Sequence, residues 1–155
     1  MVRVFESIDA FKAVAGEVIG TSDWLQISQE RIDTFAEATE DRQWIHVDPQ
    51  RAADGPFGAT IAHGYLTLSL LAAFDPMIYR VEGLAMGVNY GANKVRFPSP
   101  VPVDARLRAT ATLTATQDIA IGTQATITFV VEIEDATKPA LVAEVLYVMS
   151  PNGDR

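Results

Sequence analysis

Apolar residues recur along this chain with two different periods, and the change falls near its middle. From Gln29 to Thr39 the period is helical: Ile32, Phe35 and Ala36 share one face, closed by Thr39. Ser28 stands where a cap is needed, and Glu30 falls in the first turn, at the positive end of the helix dipole. Asp41 to His46 reads as a connection. Asp48-Pro49 then predicts a short second helix, with Asp as cap and Pro at the first position. Gly55-Pro56-Phe57-Gly58 reads as a loop. From Ala62 to Ala73 a helical segment carries no charge and almost no polar face, which predicts a helix buried on most sides and ended by Asp75-Pro76.

Beyond that point the period becomes two. Ala85 to Tyr90 and Asn93 to Phe97 predict short strands on either side of Gly91, and Pro98, Pro100 and Pro102 mark an irregular crossing. Three long alternating runs come next, carried by Leu107–Ala115, Ala125–Ile133 and Leu141–Met149, with turns at Asp118–Gly122 and Asp135–Pro139. They predict an antiparallel meander with one apolar face. A sheet of that kind and one apolar helix pack with the helix in the concave face, an α+β architecture. No repeat or linker interrupts the pattern, so residues 1–155 read as one domain. An exposed sheet edge in such a domain is expected to be covered by forming a homodimer.

Charge narrows the partners. Twenty acidic residues against 12 basic ones leave a formal charge of −8, which argues against nucleic acid or an anionic membrane surface as partner. The N-terminal stretch, with Glu6 and Asp9, does not resemble a signal peptide, and Ile61–Phe74 is too short and too interrupted to span a bilayer. A cytoplasmic protein is expected. Cysteine is absent, which excludes disulfides, thiolate catalysis and Cys-based metal sites.

Histidine is the informative scarcity. The chain has only two, His46 and His63, so proton transfer near neutral pH depends on one of them or on a carboxylate. Asp41 and His46 flank a loop containing Trp44 and Ile45, a setting suited to holding one water between a carboxylate and an imidazole. The competing reading makes Asp41 a helix cap and His46 a space-filler. His63 and Gly64 fall where the apolar helix begins. Unpaired first-turn N–H groups there can hold an oxyanion, and Gly64 permits close approach. A tightly packed Gly and a packing or capping His explain the same residues. Asp41, His46 and His63 match metal ligands by type but no standard spacing, so no metal is expected.

These segments carry a resemblance. Asp41-x-x-x-x-His46-x-Asp48-Pro49, Arg51–Ala53, Gly55-Pro56-Phe57-Gly58, Ile61-Ala62-His63-Gly64-Tyr65 and Asn89-Tyr90-Gly91-x-Asn93-Lys94-Val95-Arg96-Phe97-Pro98 together resemble the MaoC-like, (R)-specific enoyl-CoA hydratases. The resemblance runs from about Phe5 to Met149, with Gln43-Trp44 standing where many members have Asn-Pro. It implies a hot-dog fold, a curved antiparallel β-sheet wrapped around a long central helix. It further implies reversible addition of water to a trans-2-enoyl-CoA without a cofactor, Asp41 and His46 as the catalytic pair, and a backbone N–H at Gly64 as oxyanion donor. Asn93 is expected near the site. Lys94 and Arg96, at alternate strand positions, are expected to share a face toward the polyanionic acyl-CoA thioester, with Arg42 and Arg51 as further cations. Trp44, Phe57, Tyr65 and Leu66 could line the acyl chain. Two alternatives remain, a hot-dog acyl-CoA thioesterase and a non-catalytic acyl-thioester binder. Hot-dog thioesterases usually place an acid on the central helix, and Ala62–Ala73 has none.

Overall fold

A computed structural model describes residues 1–151. The three alternating runs build β6 (Arg106–Ile119), β7 (Gly122–Ile133) and β8 (Leu141–Pro151), paired antiparallel through registers such as Ala111↔Phe129 and Phe129↔Ala143. Because alternate side chains share a face, Leu107, Ala109, Ala111, Leu113, Ile127, Phe129 and Val131 are all fully buried. Two short strands, β2 (Val18–Thr21) and β3 (Leu25–Gln26), pair with the free side of β6. β5 (Leu84–Arg96) pairs with β8 and forms the opposite edge, giving the sheet order β2-β6-β7-β8-β5.

The central helix lies on the concave face as α5 (Gly64–Ser69) and α6 (Leu71–Ile78), joined through Leu70, whose backbone stays helical at φ −68° and ψ −11°. Leu66, Leu70, Leu71, Phe74 and Ile78 join the sheet residues in one apolar core. The helix does not end at Asp75-Pro76. Pro76 sits inside α6, and Ala72, whose carbonyl loses its i+4 donor there, is exposed, so water can satisfy it. Nor is the helix buried all round: Tyr65, Ser69, Ala72 and Pro76 form an exposed stripe at helical spacing.

β5 is one strand rather than two. Its register shifts at Leu84/Met86, Asn89/Gly91 and Asn93/Arg96, and Lys94 adopts a left-handed φ of 52° in the last of these bulges. The bulge interrupts the alternation on which a shared face for Lys94 and Arg96 was expected. Nearly all of β5 is exposed, including Met86, Val88 and Tyr90.

The N-terminal third holds structure that the hydrophobic pattern did not announce. β1 (Arg3–Phe5) pairs parallel with β4 (Tyr79–Val81), and Ser7 caps the single-turn helix α1 (Ile8–Lys12) by accepting from Ala10 N–H at 3.1 Å. Phe5 and Phe11 then pack on Tyr79 where α6 ends.

Candidate active site

Three short helices carry the Asp–His segment over the start of the central helix. α2 (Gln29–Thr39) begins under the Ser28 cap as expected, with Arg31 N–H on Ser28 Oγ at 3.2 Å. It stops at Glu40, whose φ of 62° turns the chain into the Asp41 loop. α3 (Trp44–Val47) carries His46. Asp48 accepts from Arg51 N–H at 3.0 Å and opens α4 (Pro49–Ala53), as the Asp-Pro pair predicts.

His46 is buried and tightly specified. Its Nδ1–H donates to the Ile61 carbonyl at 2.6 Å, which leaves Nε2 as the basic atom of the ring. Ile61 N–H returns a bond to the Ile45 carbonyl at 3.0 Å, so α3 and the Thr60–Ala62 segment hold each other. That segment is anchored on its other side by Ala62 N–H to the Val101 carbonyl (2.8 Å) and Val103 N–H to the Thr60 carbonyl (2.9 Å). The proline-rich crossing is therefore what fixes the acceptor of His46. Burial pulls the His46 imidazole below its ordinary range, and His63 adds to this. The Ile61 bond and Asp41 oppose it.

Asp41 is exposed at the rim. Its Oδ1 accepts from Gln43 N–H at 3.4 Å, but Asp41 caps no helix: Gln43 precedes α3 without a side-chain cap, and Asp48 caps α4. The His63 imidazole is buried. Its Nε2–H donates to the main-chain carbonyl of Asp41 at 2.9 Å, and its ring stacks on His46 with centroids 3.8 Å apart. One acceptor or donor atom from each of Asp41, His46 and His63 lies within 4.8 Å of the others. His46, Gly64, Phe57 and Phe97 line a cavity of about 350 Å³. Gly64 opens α5 with no side chain capping it, and a Cβ there would lie 3.2 Å from the Phe97 ring. Close packing against Phe97 is thus served by glycine.

The remaining expected residues are more dispersed. Lys94 Nζ pairs with Glu144 at 3.1 Å, and Arg96 donates to the Val95 carbonyl at 2.8 Å. Arg42 pairs with Glu37, and Arg51 stacks 4.4 Å over the Trp44 ring. Asn93 sits in β5 opposite Glu144, while the bonded His46 nitrogen meets Ile61. Tyr65 is exposed, Phe57 half-exposed, and Leu66 buried in the core. Trp44 packs against Gly55 so closely that a Cβ at Gly55 would lie 2.9 Å from its ring.

Gln29 is a site residue that the sequence did not single out. Its amide donates to the His46 carbonyl at 2.7 Å and to Asp33 at 2.8 Å, while the buried Thr60 hydroxyl donates to Gln29 Oε1. Read along the chain, Gln29 was only a polar residue in a first helical turn. The helix extension adds a second omission, Asp75. It lies on α6 beside Tyr79 at a separate cavity of about 380 Å³, and burial pushes its carboxyl up to about 6. Neither Asp75 Oδ1 nor the Tyr79 hydroxyl completes a hydrogen bond.

Comparison with known proteins fits this arrangement. The MaoC like domain family matches residues 10–136. 3-Hydroxyacyl-thioester dehydratase Z of Mycobacterium tuberculosis is 55% identical over 143 residues, covering 92% of this chain and 95% of that protein. Nodulation protein N of Rhizobium leguminosarum is 46% identical over 131 residues, covering 83% and 81%. Among solved structures, the unliganded R-hydratase of Pseudomonas aeruginosa superposes with a TM-score of 0.71 at 22% identity, covering 88% of this chain and 83% of that one. The chain belongs to the MaoC-like dehydratase family, has the hot-dog fold, and is an enzyme of the hydro-lyase class.

Proposed function

We propose that this protein is an (R)-specific enoyl-CoA hydratase that adds water reversibly to a trans-2-enoyl thioester, giving the (R)-3-hydroxyacyl thioester. The observation that carries this reading is the convergence of the Asp41 carboxylate and the His46 imidazole beside the cavity that Gly64 also lines. His46, holding its Nδ1 proton on Ile61, accepts a proton at Nε2. The water, held between Nε2 and Asp41, loses that proton as its oxygen bonds to C3. The C2=C3 π electrons move toward the thioester, the carbonyl oxygen gains charge, and a proton is delivered to C2 by the same pair. The first-turn N–H of Gly64 supplies the oxyanion contact. Dehydration runs these steps in reverse. The name of the Mycobacterium tuberculosis relative supports thioester dehydration as the reaction class.

CoA as carrier is part of this proposal, with Arg96 and Lys94 on β5 as its phosphate-binding cations; the bulge between them means that they reach the phosphates separately, Lys94 by exchanging its Glu144 partner for phosphate. Substituting either by Ala should raise KM for the CoA thioester, in a salt-dependent way, and leave a pantetheine thioester unaffected. A cytoplasmic homodimer is proposed as well. The exposed edge of β5 and the stripe Tyr65–Ser69–Ala72 beside it support a second copy as their cover.

Asp75 gives the thioesterase reading an observation of its own, since an acid does lie on the extended central helix. It lines a separate cavity with Tyr79, whereas the Asp41 carboxylate lies within 4.8 Å of a His46 ring nitrogen, which favours the hydratase. Purified protein with crotonyl-CoA decides between them. Loss of enoyl-thioester absorbance without free thiol supports hydration; thiol release supports the thioesterase; binding without either supports a non-catalytic binder.

A further inference from the structure

His63 lies between the two side chains to which the hydratase reading gives the chemistry, and its contacts reach both. It is buried at 3% exposure and, unlike His46, does not line the cavity. Its ring is sandwiched between Phe35, with centroids 5.0 Å apart, and His46, 3.8 Å away and 22° from parallel. Its backbone caps α5, and its carbonyl accepts from Thr67 N–H at 3.2 Å, so the ring starts from a fixed point on the central helix. From there Nε2–H crosses 22 residues of sequence to the Asp41 carbonyl.

That bond matters because the Asp41 segment has little else. Among the described residues, the other hydrogen bonds made by Glu40–Gln43 stay within five residues of sequence: Arg42 to Glu37, Arg42 N–H to Glu40, Asp41 N–H to Thr39, Gln43 N–H to Asp41, and His46 N–H to the Gln43 carbonyl. His63 therefore supplies the long-range tie that sets where this exposed carboxylate stands relative to His46. The second ring nitrogen points the same way. His63 Nδ1 is buried without a hydrogen-bond partner, an arrangement that an apolar side chain of similar shape would avoid. Packing alone does not call for histidine here.

We propose that His63 is a positioning residue, neither touching substrate nor donating to the oxyanion, that sets the Asp41 loop against His46 and ties both to the start of the central helix. The proposal rests on the hydratase reading for its catalytic consequence and on the Asp41 carbonyl bond for its structural one.

Two variants separate ring from donor. His63→Phe keeps an aromatic ring and removes the N–H. His63→Gln loses the ring but places an amide donor near the position of Nε2. With crotonyl-CoA, His63→Phe should lower kcat about 100-fold, the cost expected of a misplaced reacting group, with KM changed less than about threefold. His63→Gln should recover at least a tenth of the wild-type kcat. Hydrogen exchange of the amides of residues 40–43 supplies a readout that needs no activity. It should accelerate in His63→Phe and stay near wild type in His63→Gln, with both variants matching wild-type exchange in β6–β8. An inert wild-type protein would overturn the hydratase reading, and the exchange comparison would still decide the positioning role. Wild-type kcat in His63→Phe, or unchanged exchange at residues 40–43 in that variant, would overturn the inference. Equal loss in both variants would overturn it too, since it would assign the effect to packing.

Discussion

The side-chain amide of Gln29 donates to the main-chain carbonyl of His46 at 2.7 Å, across 17 residues of sequence. Through Thr60 on its other side, Gln29 links the start of α2, helix α3 and the segment whose Ile61 carbonyl orients the His46 ring. Gln29→Ala should cost about 1–2 kcal/mol, because it leaves a buried Thr60 hydroxyl and the His46 carbonyl unpaired. It should lower kcat roughly tenfold by loosening α3. Urea unfolding beside steady-state kinetics checks both, and an unchanged kcat in a folded variant would remove Gln29 from the site.

On the proposed mechanism, the pH dependence should arise from the buried imidazole. His46 is held below its ordinary value of 6.5, chiefly by burial, so it stays neutral and able to accept a proton through the neutral range. The acid limb of kcat/KM should therefore have its midpoint below 6.5. Stability carries the same sign. The unfolded chain binds this proton more readily, so the contribution of His46 is complete above about 6.5 and is lost as pH falls through the lowered folded value. An acid limb centred above 7 would contradict the assignment of that limb to His46.

Asp75 should behave in the opposite sense. Between its ordinary 3.8 and about 6 the folded chain holds the proton more tightly than the unfolded chain does. Its contribution to stability falls as pH rises through that window and is gone above 6. Asp75→Asn should stabilise the protein at pH 8 by up to about 3 kcal/mol and have little effect near pH 4. Thermal unfolding at the two pH values tests this; equal shifts at both would mean that the charge of Asp75 is not what costs stability.

Gly64→Ala probes the floor of the cavity. The added methyl would sit 3.2 Å from the half-exposed Phe97 ring, which can yield by a few tenths of an ångström, so the stability cost should stay below about 1 kcal/mol. Activity should suffer more, roughly tenfold in kcat/KM, because the methyl enters the space beside the proposed oxyanion donor. A stable variant with wild-type kcat/KM would show that the glycine serves packing alone.

How much of this was legible in the sequence depends on whether a contact is local. The β6–β8 meander could be read residue by residue, because an alternating strand writes its burial directly into its pattern, and the Ser28 and Asp48-Pro49 helix starts likewise depend on neighbours in sequence. The convergence of Asp41 with His46 was also within reach, since both lie in one short segment. The ties that hold them were not. Gln29, Ile61 and His63 reach the pair across 15 to 22 residues, Thr60 reaches Gln29 across 31, and nothing in hydrophobic period encodes such bonds. Pro76 misled in the ordinary way. A proline late in a helix is tolerated where the carbonyl that loses its donor faces water, which depends on tertiary exposure. The β5 bulge at Lys94 overturned an argument from alternation for a similar reason, since one left-handed residue in the register is enough to redirect the side chains beyond it.

The pair itself is tested most directly by monitoring enoyl-thioester absorbance with crotonyl-CoA in wild-type protein, Asp41→Asn and His46→Gln, with thermal unfolding confirming that all three are folded. Wild-type hydration is expected, with a loss of at least about 1,000-fold in each variant, the upper part of what a positioned acid–base group contributes. Hydration that survives in either folded variant would contradict the claim that Asp41 and His46 carry the reaction.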